Sequence, residues 1–245
     1  MERSPLINIT ANLSRDLKEL SFNPPVSFVY DPTVYARTSL AQYFERYGQA
    51  PKEVVLVGMN PGPWGMLQTG VPFGEVHYVS DWMGIKGTVN QPAKLHPKRP
   101  VEGFACARSE VSGRRLWGWA RIRFGSPGNF FRRFIVLNYC PLAFFDAGGK
   151  NITPDRLRAD DKVPLFQLCD GATRRAVELL SPEWVIGVGK FAFDRLVSAL
   201  EDMDLKIGRI THPSPANPAA NRGWAELVER ELTEIGIEFP LNVSR

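Results

Sequence analysis

Two asparagines and a histidine lie where short hydrophobic segments of the chain end, and these side chains are the best candidates for chemistry. Asn60 belongs to a loop of prolines and glycines, Asn138 ends a hydrophobic segment, and His212 precedes Pro213. An amide both donates and accepts hydrogen bonds, so Asn60 can orient a water and Asn138 can read a ring lactam such as that of uracil. His212 is equally consistent with a catalyst or a structural residue, and both asparagines could instead satisfy nearby backbone groups.

Several other kinds of active site are excluded by the motifs that the chain lacks. The loop at 58–66 has no Gly-Lys-Ser/Thr ending, and no GxGxxG, GxSxG or HExxH motif occurs. Cys106, Cys140 and Cys169 show no zinc-ligand spacing, so we expect buried, reduced thiols and no metal site. The remaining groups suit a reaction whose leaving group needs only to have its developing charge stabilised.

Four hydrophobic segments are predicted to be strands of one parallel sheet. They cover residues 54–58, 134–138, 184–188 and 206–211. Their apolar residues run continuously instead of alternating with polar ones, which is typical of strands that are covered on both faces.

Helical patterns separate these strands and complete the prediction of the fold. They cover 32–47, an apolar stripe from Leu165 to Leu179 that ends at Ser181-Pro182, 191–200, and a last helix from Trp224. Alternating strands and helices predict an α/β fold, a three-layer α/β/α sandwich around a mainly parallel four-stranded sheet. We expect a single domain over 1–245, with an N-terminal extension at 1–24. Ligands of such folds bind beyond the carboxyl ends of the strands.

Positive charge is concentrated in one part of the chain. The segment from Lys94 to Arg133 contains ten basic and two acidic residues, a net charge of +8 in a chain whose total is +4. Eight of the ten are arginines, and aromatic residues are interleaved with them: Trp117, Trp119, Phe124, Phe130 and Phe131. This pattern fits a nucleic-acid surface as well as it fits a solvated face around packed aromatics.

No part of the sequence indicates a membrane or an export route. No apolar segment approaches the roughly 18 residues of a membrane span. The first residues carry no signal-peptide core. We therefore expect a cytoplasmic protein at the bacterial nucleoid, or a nuclear one if the source is eukaryotic.

Five motifs together resemble the single-strand-selective monofunctional uracil-DNA glycosylases over roughly residues 25–240. They are GMNPGPWGM at 58–66, QTGVPFGEV at 68–76, NYCPL at 138–142, GKNITP at 149–154, and HPSP at 212–215 with NP at 217–218 and ANRGW at 220–224. The resemblance implies the uracil-DNA-glycosylase fold, no metal or cofactor, and removal of uracil and oxidised 5-substituted uracils from DNA. Trp64, Leu67 and Arg222 depart from the residues that we expect in the family.

Roles for the residues around the target base follow from the resemblance. Asn60 is expected to position the attacking water, and His212 to stabilise the charge that develops on uracil O2. Phe73 is expected to stack on the base, and Asn138 to read its N3/O4 edge. The backbone at Met59 is expected to line the pocket. Gly62 is expected to leave room near C5 of the base, because it has no side chain.

Two loops are expected to hold the DNA. We expect the protein to be a monomer whose only partner is DNA that contains uracil or a modified uracil. The first supplies phosphate contacts from Gly149, Lys150, Asn151, Arg156 and Arg158. The second forms a wedge that fills the vacated base stack, with Pro213, Ser214, Pro215, Asn217 and Arg222.

Two other functions remain open at the level of sequence. One is a non-catalytic nucleic-acid-binding module on the same scaffold. Binding alone needs neither Asn60 nor His212, so the presence of both residues argues against this function. The other is a hydrolase of a small nucleotide, whose phosphate the arginine-rich segment would hold. Activity on free deoxyuridine monophosphate instead of DNA would favour the second.

Overall fold

A computed structural model describes residues 4–239 of the chain. The strands are β1 (Phe28–Tyr30), β2 (Val54–Gly58), β3 (Phe134–Asn138), β4 (Ala143–Phe145), β5 (Asn151–Ile152), β6 (Trp184–Val188) and β7 (Lys206–Ile210). The α-helices are α1 (Pro5–Leu17), α2 (Pro32–Tyr35), α3 (Arg37–Tyr47), α4 (Met66–Thr69), α5 (Val111–Phe124), α6 (Pro127–Arg133), α7 (Ala159–Leu180), α8 (Lys190–Ala199) and α9 (Trp224–Glu234).

The central sheet has four parallel strands in the order β3-β2-β6-β7. All four predicted strands are confirmed, the last ending at Ile210, one residue earlier than expected. Every residue of β2 is buried, whereas β7 has exposed residues because it is an edge strand. The register pairs Gly58 with Asn138, so the loops that follow β2 and β3 begin side by side.

Helices cover both faces of this sheet, which confirms the three-layer sandwich. The chain moves one way from β2 to β3 and the other way from β3 to β6 and on to β7. Because parallel crossovers are right-handed, α5 and α6 lie on one face, and α7 and α8 on the other. Helix α9 packs against α5, and α1 packs against α7.

The helices differ from their predicted limits in three places, and one of these is the start of α7, which lies at Ala159 instead of Leu165. The single helix expected at 32–47 is divided into α2 and α3 at Ala36, a fully buried residue with φ −111° and ψ 24°. Gly70 packs so closely on Ala36 that a side chain there would lie 2.7 Å from the Ala36 carbonyl, which fixes the break. Helix α8 spans Lys190–Ala199 instead of 191–200.

A small antiparallel sheet, in the order β1-β4-β5, was not predicted. Its strands have only two or three residues each, which is too short for a periodic pattern. This sheet matters for the site because it pairs Asn151 with Phe145, a residue that follows the end of β3 closely in the chain.

All three cysteines are buried free thiols, as predicted. Of the helices within residues 4–239, none is both long and apolar enough to cross a membrane.

The segment expected to be an N-terminal extension contributes helix α1 to the packed body. Leu6, Leu13 and Leu17 of this helix are almost completely buried. Its contacts are mainly with α7, and its buried leucines belong to the main hydrophobic core.

Replacement of Leu17 by alanine tests how firmly α1 is attached. Leu17 is 2% exposed, so Leu17→Ala should lower the free energy of unfolding by about 2–5 kcal/mol, the usual cost of truncating a buried leucine. Urea titration followed by circular dichroism would measure this. An unchanged midpoint would show that α1 packs only loosely on the domain.

Candidate active site

A cavity of about 320 Å³ opens at the carboxyl ends of β2, β3 and β7. The residues predicted to perform catalysis and bind the base line this cavity together: Met59, Asn60, Gly62, Phe73, Asn138 and His212. Its other lining residues are Pro61, Pro63, Met66, Glu110, Ser112, Asn151, Thr153 and Ser214. The position agrees with the rule that ligands of open α/β sheets bind beyond the carboxyl ends of the strands.

The amide of Asn60 is held in one orientation by the loop that follows β3. Its Nδ2 donates a hydrogen bond to the Leu142 carbonyl at 3.1 Å. The side-chain oxygen of Asn60 is therefore the atom left to accept a hydrogen bond from a water molecule. The amide can orient such a water but is too weak a base to deprotonate it.

His212 is held as a neutral imidazole. Its Nδ1 accepts a hydrogen bond from the Ser214 backbone N–H at 3.0 Å, so Nδ1 carries no proton. Burial lowers the pKa of His212 to about 4. Near neutral pH the ring therefore carries its single proton on Nε2, which makes it a hydrogen-bond donor without a positive charge.

An arginine that sequence analysis placed in the basic segment fixes the loop after His212. The Arg115 guanidinium, on α5, donates to the Pro213 carbonyl at 2.9 Å and to Asn221 Oδ1 at 2.8 Å. Asn221 in turn donates to the Pro215 carbonyl at 2.9 Å. Nothing in the sequence pattern distinguished Arg115 from its neighbours, because these contacts span about a hundred residues.

Phe73 reaches the cavity through an unusual backbone conformation. Its φ of +54° lies in the left-handed region that bulky residues rarely adopt. The Phe73 carbonyl accepts hydrogen bonds from Trp117 Nε1 at 3.0 Å and from the Glu75 N–H at 2.8 Å, which hold this turn in place. Gly113 leaves the space in which the Phe73 carbonyl lies against α5. Such strain often accompanies functional sites.

Two side-chain oxygens beside the cavity are buried without a hydrogen-bond partner in the described structure. They are Asn138 Oδ1 and Asn151 Oδ1. The other end of the Asn138 amide donates to the weak acceptor Met66 Sδ at 3.1 Å. A buried acceptor without a partner costs about 1–3 kcal/mol, so a ligand that brings an N–H to Asn138 would recover this energy.

A carboxylate that sequence analysis missed also lines the cavity. Glu110 directly precedes α5, and its Oε2 accepts a hydrogen bond from the Trp64 N–H at 3.3 Å. A side chain on Gly62 would lie 2.5 Å from the same oxygen. The space beside Gly62, which we expected to be open, is therefore filled by this carboxylate.

The two loops predicted to bind DNA differ in how they meet the cavity. Asn151 and Ser214 line it, whereas five other residues of these loops are exposed and do not line it: Lys150, Arg156, Arg158, Pro215 and Arg222. Asn217 is half-buried.

Pro213 and Gly149 are buried. Gly149 packs against the His96 ring, and its carbonyl accepts a hydrogen bond from Arg99 Nε at 2.6 Å. We therefore assign Gly149 a packing role.

The structure also shows what the aromatic residues of the basic segment do. Most of them are buried in the core: Trp117, Trp119, Phe130 and Phe131. Arg133 forms an ion pair with Glu53, whereas Arg108 lies over the Trp64 ring at 4.2 Å from its centroid. These aromatic residues therefore pack in the core, as one of the two interpretations of the segment predicted. The exposed basic residues of the segment can still contact a polyanion.

Comparisons with known proteins identify the family of this chain. The family model of the uracil DNA glycosylase superfamily matches residues 45–231. The single-strand selective monofunctional uracil-DNA glycosylase of Rattus norvegicus is 46% identical over 227 residues, which cover 92% of this chain and 82% of that protein. The Bos taurus enzyme of the same name is 45% identical over 234 residues, 95% of this chain and 86% of that protein.

The chain belongs to the single-strand-selective monofunctional uracil-DNA glycosylase family. The fold of this family member also resembles the crystal structure of Pedobacter heparinus SMUG2, with a TM-score of 0.66 over 92% of this chain and 96% of that one. Their sequences are only 17% identical, so this similarity supports the fold alone. Among residues 4–239 no group of three histidine, cysteine, aspartate or glutamate side chains could hold a metal ion.

The pH dependence of stability tests the neutral state of His212. The unfolded chain binds a proton on this residue near pH 6.5, whereas the folded protein binds it only near pH 4. Lowering the pH through this interval should therefore favour unfolding, by up to about 1.4 kcal/mol per pH unit.

Urea titrations of the wild type and of His212→Gln between pH 7.5 and 4 would measure this contribution. The wild type should lose more stability than the variant over that range. Equal losses would contradict a neutral, buried His212.

Proposed function

We propose that this protein takes a uracil base flipped out of DNA into the cavity and hydrolyses the bond between uracil N1 and deoxyribose C1′. Membership of the family and the names of its close relatives support this activity. The observation that carries the proposal is the buried Asn138 Oδ1, an acceptor that finds no partner among residues 4–239, in a cavity that Asn60 and His212 also line. The product is an abasic site in an unbroken strand.

The polar groups of the cavity match the edges of uracil. Asn138 Oδ1 accepts the N3–H, and its Nδ2 donates to O4 once it leaves Met66. Cytosine has an acceptor and a donor in the reverse positions, so it is disfavoured. Phe73 stacks on the ring, and the Met59 backbone lines the pocket. His212 donates from Nε2 to O2.

The mechanism stabilises charges that form when the glycosidic bond breaks. As the C1′–N1 bond stretches, the sugar becomes oxocarbenium-like and the uracil becomes an anion. Neutral His212 stabilises that anion through a hydrogen bond to O2. Asn60 orients the water that attacks C1′, and the cationic sugar needs little nucleophilic assistance. No lysine lines the cavity in the described part of the chain, so we expect no Schiff base and no lyase step.

The loops around the cavity would hold the DNA. The segment 213–223, fixed by Arg115, acts as the wedge that fills the vacated stack. Lys150, Arg156, Arg158 and Arg222 contact phosphates, and Asn151 offers its unpartnered oxygen to a donor on the nucleic acid. The protein works as a monomer, at the nucleoid of a bacterium or in the nucleus of a eukaryote. Its substrates include 5-substituted uracils such as 5-hydroxymethyluracil.

Excision from a labelled, uracil-containing oligonucleotide, followed by alkaline cleavage of abasic sites, tests the activity. The wild type should convert the substrate, and Asn60→Ala should be slower by roughly 10²–10³, the effect of losing one preorganised polar group. Asn129→Ala, an exposed asparagine of α6, serves as the control and should retain the wild-type rate.

A wild-type protein that binds the oligonucleotide but never cleaves uracil would instead support the non-catalytic binding module. An Asn60→Ala variant with the wild-type single-turnover rate would remove Asn60 from the mechanism. Conversion of free deoxyuridine monophosphate but not of DNA would favour the small-nucleotide hydrolase.

The salt dependence of binding tests the predicted phosphate contacts. Each contact with single-stranded DNA contributes about 0.7 to the slope of log affinity against log salt concentration. Lys150→Gln and Arg222→Gln should each make the slope shallower by about that amount. Lys18→Gln, an exposed residue after α1, should leave it unchanged. Identical slopes for all four proteins would place the DNA elsewhere.

A further inference from the structure

The carboxylate of Glu110 belongs to the wall of the cavity and is held there by backbone groups. It accepts hydrogen bonds from the N–H groups of Trp64, at 3.3 Å, and Ser112. The stem of Glu110 lies against Gly65, where a side chain would approach Cγ to 3.0 Å. Its head lies against Gly62, where a side chain would approach Oε2 to 2.5 Å. Two glycines thus leave the room that this carboxylate occupies.

Within residues 4–239, Glu110 has no cationic partner that would explain its burial. None of the ion pairs formed within residues 4–239 includes it, and the nearby Arg108 guanidinium faces the Trp64 ring instead. Burial raises the pKa of Glu110 above that of a free carboxyl group. A carboxylate has about four lone-pair positions and the two N–H groups use two of them. Glu110 therefore keeps acceptor capacity beside the cavity.

The proposed binding mode determines which edge of the base meets this wall. Asn138 takes the N3/O4 edge, His212 takes O2, and Phe73 covers a face of the ring. The C5–C6 edge then faces the remaining wall, formed by the loop at 59–66. Because Gly62 has no side chain, a substituent on C5 that reaches this wall meets the carboxylate of Glu110 behind it.

We infer that Glu110 is a specificity-determining residue that selects 5-substituted uracils whose substituent donates a hydrogen bond. A hydroxymethyl group can donate its O–H to the carboxylate. A formyl group has the same number of heavy atoms but can only accept a hydrogen bond. It therefore places its oxygen against a carboxylate oxygen of Glu110. A methyl group excludes water from the carboxylate without offering a hydrogen bond in return. This inference rests on the proposed function and adds to it the residue that reads the substituent.

Glu110→Gln separates this role from simple support of the loop. The amide keeps the shape of the side chain and an acceptor for the Trp64 N–H, but it also offers an N–H to the cavity. If Glu110 only supports the loop, the excision of all substrates changes by the same factor. If Glu110 reads the substituent, the variant's preference shifts from substituents that donate a hydrogen bond towards substituents that accept one.

The experiment compares single-turnover excision of uracil, 5-hydroxymethyluracil and 5-formyluracil from oligonucleotides of one sequence. Each substrate has its own leaving-group acidity, which cancels when ratios are compared between two proteins. The ratio of hydroxymethyl to formyl excision should fall about tenfold or more in Glu110→Gln, since hydrogen bonds to charged groups are worth that much. Asp31→Asn is the matched control, because Asp31 is also a buried carboxylate preceding a helix and lies outside the cavity.

Each outcome decides the inference. A ratio that falls in Glu110→Gln and stays at the wild-type value in Asp31→Asn supports it. An unchanged ratio in Glu110→Gln overturns it, even if all rates fall together. Failure of the wild type to release uracil would instead overturn the proposed function itself. Should Glu110→Gln not fold, Glu110→Asp and Glu110→Asn provide the same comparison of carboxylate with amide.

Discussion

The site depends on a close approach at the end of the central strand that only glycine permits. A side chain on Gly58 would lie 2.5 Å from the Phe73 ring and 2.6 Å from Asn138 Oδ1. Parallel pairing places Asn138 directly beside Gly58, and the left-handed turn brings Phe73 to the same point. The Asn138 amide, proposed to read the base, and the Phe73 ring, proposed to stack on it, therefore meet because β2 ends without a side chain.

Burial at this point gives the polar groups their chemical character. It leaves Asn138 Oδ1 without a partner in the described part of the chain and lowers the pKa of His212, so that one group can accept a hydrogen bond and the other can donate one without carrying a charge. Hydrogen bonds are stronger in such surroundings than in water. Arg115 links helix α5 to the loop after His212, so the same helix that borders Glu110 also fixes that loop.

Sequence analysis predicted the central sheet and the polar side chains at the ends of its strands, because both are local properties of the chain. Asn138 and His212 stand where hydrophobic strands end, and parallel strands end together. The division of the predicted helix at 32–47 depends on contact with Gly70. The roles of Glu110 and Arg115 depend on residues about 45 and 100 positions away. No periodicity or motif records such contacts, so they emerge only from the folded chain.

The most direct test of this account is excision of N3-methyluracil compared with uracil from single-stranded oligonucleotides of the same sequence. Methylation at N3 removes the only ring N–H of the base but leaves O2, O4 and the N1–C1′ bond in place. If Asn138 Oδ1 accepts that N–H, the single-turnover rate for the methylated base should fall by at least two orders of magnitude, because the buried oxygen is left unpaired against a methyl group. Removal of N3-methyluracil at the rate of uracil would contradict the account.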